Sequence, residues 1–100
     1  MISYLSIHRG RASVTFYYNL IQQNAQGQQI TQLRGMRIRR RRPRLAFLGQ
    51  NTQVFGVSAS GYCCWELNSR PGHLGQRQLL IGAYRGMLNF QPRSVRKVEC

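Results

Sequence analysis

Few side chains in this 100-residue chain can do chemistry: two glutamates (Glu66, Glu99), two histidines (His8, His73), three cysteines (Cys63, Cys64, Cys100), and fourteen arginines with Lys97. Paired-carboxylate acid–base work has only Glu66 and Glu99 to draw on, and Cys/His catalysis needs one of two histidines set beside a thiol by the fold. Zinc sites pair their ligands at spacings such as Cys-x2-Cys or His-x3-His, which this chain lacks. A glycine-rich phosphate loop of the Walker or dinucleotide type is also missing. The expectation is therefore no enzyme, no cofactor and no metal. Neighbouring Cys63 and Cys64 in a strand would point to opposite faces, and with an odd count free thiols are expected.

Arginine is the one residue type present in a functional quantity. Lys+Arg number 15 against 2 Asp+Glu, a net charge of +13, and six of the eight positions in Arg37-Ile38-Arg39-Arg40-Arg41-Arg42-Pro43-Arg44 are arginine. Such a field repels itself unless a polyanion or salt neutralises it. Guanidinium groups give planar bidentate contacts to phosphate and stack on bases, which ammonium groups do not. Six adjacent guanidiniums cannot be buried unpaired, so the run is exposed or meets a partner, and Pro43 argues against a continuous helix or central strand. Arg37, Arg39, Arg40, Arg41, Arg42 and Arg44 are the candidate nucleic-acid-binding residues. Tyr17, Tyr18 and Phe47 on flanking strands could add base stacking, with core packing as the competing use of each ring. Arginine-rich reading frames from GC-rich DNA give the same composition without a partner.

The elements that must position these residues read as strands. Val14–Tyr18 is β-branched and aromatic, Ile30–Leu33 makes a second short strand closed by Gly35, and Leu45–Leu48 and Thr52–Val57 make two more around Gly49. The polar stretch 22–29 reads as an exposed loop, and Ser58–Gly61 as a turn-rich hinge. Residues 1–12 read as a lead-in strand or arm. At 42% apolar the chain has enough for one modest core and one domain. It has no apolar run long enough for a transmembrane helix, and its first residues lack the pattern of a secretory signal.

The second half has a more definite pattern. Trp65, Pro71-Gly72, Gly75, Leu79-Leu80, Gly82, Tyr84, Phe90 and Ser94-Val95-Arg96 together resemble a Greek-key motif of the βγ-crystallins. The resemblance implies a tightly folded hairpin, with Gly75 permitting the sharp fold and Ser94 hydrogen-bonding across it. It covers about a third of the chain; Asn68 and His73 stand where that family has aromatics, and the interval from Phe16 to Gly27 exceeds its usual spacing. In the segment where some members bind calcium only Asn89 and Ser94 fit, so calcium is not expected.

The combined expectation is an all-β, single small antiparallel domain over 1–100, with two Greek-key motifs (about 11–60 and 61–100) forming a sandwich. Its expected function is non-enzymatic binding of nucleic acid or another polyanion through the arginine-rich loop. The alternative is a crystallin-like structural or protein-interaction module. A membrane span is not expected, a homo-oligomer is compatible with the sequence, and a nuclear or cytoplasmic location is favoured.

Overall fold

The alternation of apolar and polar residues in the first half folds into one long hairpin. In the computed structural model, which describes residues 12–61 and 64–99, β1 (Ser13–Gln23) pairs antiparallel with β2 (Gln29–Ile38) from Val14↔Ile38 to Gln23↔Gln29. Asn24 makes the turn: its Oδ1 accepts the N–H groups of Gln26 at 3.0 Å and Gln28 at 2.8 Å, while Gly27 takes φ +80°. Side-chain capping of this kind mimics a backbone turn, so the exposed loop expected over 22–29 shrinks to its middle. The second strand likewise runs through Gly35 to Ile38 instead of closing there.

On its other side β1 pairs with β3 (Thr52–Ser60), and β3 with the short β6 (Tyr84–Gly86), giving a sheet of order β2-β1-β3-β6. Opposite Tyr17 and Tyr18 the register shifts, leaving Phe55 as the extra residue of a bulge. Gln91 braces this point, its Oε1 accepting from Val54 N at 2.8 Å and its Nε2 donating to Val54 O at 3.0 Å. The second sheet has the order β5-β4-β7, with β4 (Cys64–Arg70) between β5 (Leu74–Leu80) and β7 (Ser94–Val98). Ser58, Ala59 and Ser60, expected in a hinge, belong to β3.

The halves exchange elements. β6 comes from the second half yet completes the first sheet, and Arg42 from the first half bridges to Val95 at the β7 edge of the second. In each half the last strand returns beside the first, β3 beside β1 and β7 beside β4. Val14, Phe16, Val57 and Ala59 from one sheet and Trp65, Leu67, Leu80 and Val95 from the other fill the shared core, each at most 7% exposed. The result is an all-β antiparallel sandwich.

Leu45–Leu48, expected as a strand, is a turn instead, with Leu48 N donating to Leu45 O at 3.0 Å. Both leucines are buried. The pattern was apolar because the turn is packed inward, and apolar periodicity alone does not separate these cases.

The β4–β5 hairpin folds over as Gly75 and Ser94 suggested. Buried Ser94 donates from Oγ to Arg70 O at 2.7 Å and accepts from His73 N at 3.0 Å. Gly75 sits at φ +81°, and a Cβ there would collide with Ser69 Oγ and the Arg70 side chain. Cys64 is buried and disulfide-bonded, which corrects the expectation of free thiols; Cys63, Cys100 and all of the expected lead-in arm but Ala12, which is buried in the core, lie outside the described residues. Among the described residues no helix is long and apolar enough to cross a membrane, and no group of three or more His, Cys, Asp or Glu could hold a metal ion.

Candidate polyanion-binding surface

Strand periodicity builds the site on the outer face of the first sheet. Along β1 the even positions Val14, Phe16 and Tyr18 point into the core, so the odd positions point to the outer face, where Ser13 is itself buried and Thr15 and Tyr17 are half-buried. Register then sets Ser60 beside Ser13, and it sets Arg37 and Ser58 on the two sides of Thr15. Arg85 of β6 lies beside Ser58. The outer face therefore carries a row Arg37-Thr15-Ser58-Arg85 across four strands, about 14 Å from end to end at the usual interstrand spacing.

Above this row lies an open basin of about 520 Å³ lined by five hydroxyl residues, Ser13, Thr15, Tyr17, Ser58 and Ser60, and by Arg37 and Arg39. Ser13 and Ser60 approach at 3.1 Å, and Tyr17 Oη and Ser58 Oγ at 3.3 Å. Hydroxyls both donate and accept, and guanidiniums only donate. Neither glutamate borders the basin. Among the described residues the ion pairs are Arg96–Glu66 at 3.2 Å and Arg77–Glu66 at 3.8 Å, and neither includes an arginine of the run. The basin thus presents unneutralised cations beside neutral donors, a set suited to phosphate or sulfate oxygens.

The six sequence-predicted arginines do not converge on one place. Arg37, at the end of β2, and Arg39 turn to the basin. Arg42 and Arg44 line a different cleft of about 280 Å³ with Met36, Ile38, Leu45, Ala46 and Phe47. Arg41 acts toward the second sheet, where His73 has its pKa lowered first by burial, then by the charges of Arg96 and Arg41, with Glu66 opposing them. Arg40 is exposed. The backbone enforces this division: Arg42 N donates to Val95 O at 2.7 Å, Val95 N to Arg42 O at 2.9 Å, Leu45 N to Arg93 O at 2.9 Å, and Gly72 N to Pro43 O at 2.8 Å. The run is a fastened crossing between the sheets and not a free loop.

Two of the three candidate stacking rings are core. Tyr18 is 7% exposed and packs on Phe47 at a centroid distance of 5.5 Å, and Phe47 also meets Phe16 at 6.2 Å. Tyr17 alone lies on the basin face. Sequence reasoning missed Arg85 and the four hydroxyl residues Ser13, Thr15, Ser58 and Ser60. Their signal was the alternation Ser13-x-Thr15-x-Tyr17 and Ser58-x-Ser60, which reads as a polar face once the strands are paired. No protein-family model, curated protein or solved structure matches this chain.

Proposed function

We propose that this β-sandwich is a non-enzymatic binder of nucleic acid or another polyanion, engaging it first through the Arg37 and Arg39 basin. The observation that carries the reading is the convergence of two guanidiniums without acidic partners on a hydroxyl-lined face that no carboxylate borders. Phosphate neutralisation makes affinity fall with salt, by a log–log slope of about 0.7 per phosphate contact on single strands and 0.9 on duplex DNA. The test is titration of the protein with labelled single-stranded RNA and duplex DNA across a salt series. Binding with a steep salt slope is expected; absence of binding to either at near-physiological salt would sink the proposal.

A second reading is a crystallin-like structural or interaction module. It is favoured by the Ser94 hydroxyl bridging the folded hairpin and by the exchange of β6 and Arg42 between sheets. Indifference to polyanions together with high resistance to unfolding would favour it.

A further inference from the structure

The basin face also carries a row that phosphate binding alone does not use. One row along from Arg37-Thr15-Ser58-Arg85, the register aligns Gly35, Tyr17 and Gly56. Both cross-strand neighbours of Tyr17 on this face are therefore glycines, and no side chain stands beside the ring in its own row. The Tyr17 ring passes the Gly35 backbone with ordinary van der Waals room for a Cβ, 3.7 and 3.8 Å from two ring carbons. Its hydroxyl meets Ser58 Oγ at 3.3 Å, in the adjacent row, so the ring leans along the sheet toward the basin.

A tyrosine held down at its hydroxyl and flanked by bare backbone is a π-surface next to an anion site. Adjacent rows on one face are about 6.7 Å apart, within the reach of one nucleotide from base to phosphate. We infer that this face binds single-stranded nucleic acid, with an unstacked base on Tyr17 and the adjoining phosphate on Arg37 and Arg39. The inference rests on the polyanion reading of the same basin and goes further, since it selects a ligand with exposed bases. A duplex keeps its bases stacked and offers Tyr17 nothing, and a base-free polyanion has none to offer. Every base has a π-face, so the contact tolerates any sequence.

The test uses fluorescence polarisation with three probes: oligo(dT) of twelve residues, an abasic phosphodiester of the same length, and a duplex of the same length. The wild type should bind oligo(dT) about 5- to 150-fold more tightly than the abasic strand, the equivalent of one base–aromatic stack. Tyr17→Phe should keep that difference and Tyr17→Leu should remove it, with the two variants, which both lack the hydroxyl of the basin, binding the abasic strand equally. Arg37→Gln should weaken oligo(dT) and abasic strand by the same factor. Equal wild-type affinity for those two, equal loss of both in Tyr17→Leu, or tighter binding of the duplex would overturn the base contact while leaving polyanion binding in place. Failure of all three probes to bind would overturn both.

Discussion

Arginines that are contiguous in sequence but divided among surfaces should contribute unequally to the salt dependence of binding. The perturbation is a pair of double variants, Arg37→Gln with Arg39→Gln, and Arg42→Gln with Arg44→Gln, each removing two positive charges. On the basin face Arg37, Arg39 and Arg85 can meet one strand of nucleic acid, so about three phosphates are neutralised and the single-strand slope is about −2. Between 50 and 200 mM salt the wild type should then lose about 20-fold in affinity, and the basin variant, with one contact left, about threefold. Arg42 and Arg44 line the other cleft, so their removal should leave the slope near the wild-type value. The assay is polarisation of a labelled single strand at five salt concentrations. Equal flattening by the two double variants would refute the reasoning, because it would mean that the run acts as one undivided string of charge.

Ser94→Ala removes both the donor to Arg70 O and the acceptor of His73 N from a fully buried position, and should cost about 2–3 kcal/mol; urea unfolding followed by Trp65 fluorescence checks it. Gly75→Ala should destabilise more than Gly49→Ala, since only the former has φ +81° and a collision waiting for its Cβ, and the two midpoints compared under one condition decide this. Leu45→Ala should cost about 2–5 kcal/mol, whereas Ala46→Ser on the exposed side of the same turn should be near neutral; equal losses would contradict the inward packing of Leu45. His73 has its pKa lowered by burial and by Arg96 and Arg41, so the unfolded chain binds the proton more readily and the stability from this site is lost as pH falls through 6.5 and below. His73→Asn, which tolerates the φ of 64° at this position, should flatten the melting temperature between pH 8 and pH 5; an unchanged profile would count against the burial of that ring.

What was legible in the sequence was mostly local. The β-branched run at Val14–Tyr18 and the antiparallel class follow from propensity, periodicity and turn chemistry, while the roles of Gly75 and Ser94 in the folded hairpin come from the resemblance to a βγ-crystallin motif. The site was legible only as composition. Arg37–Arg44 announced unpaired charge, but which guanidinium faces which surface depends on Arg42 pairing with Val95, a contact between residues 53 positions apart. Tyr17, Tyr18 and Phe47 were equivalent rings on paper. The parity of β1 separates Tyr17 from Tyr18, and the turn at 46–47 sends Phe47 against the core. Arg85 was invisible because β6 is three residues long and joins the sheet opposite its own half.

The exchange of elements also explains how so unbalanced a chain can stay compact. Six guanidiniums within eight residues would repel strongly if they shared one surface, and with two glutamates in the chain there is little carboxylate to offset them. Crossing between the sheets at Arg42 sends Arg37 and Arg39 to one face, Arg42 and Arg44 to a separate cleft, and Arg41 toward His73. Exposed charges that face separate surfaces are screened from one another by salt, over a Debye length of about 8 Å at physiological ionic strength. Of the two basin arginines, Arg37 stands on β2, whose register is fixed by its pairing with β1, and Arg39 follows the end of that strand. An arginine run that binds from a floppy loop would pay ordering entropy on each encounter; here the backbone bonds of Arg42, Pro43 and Leu45 to the second half have already set its path.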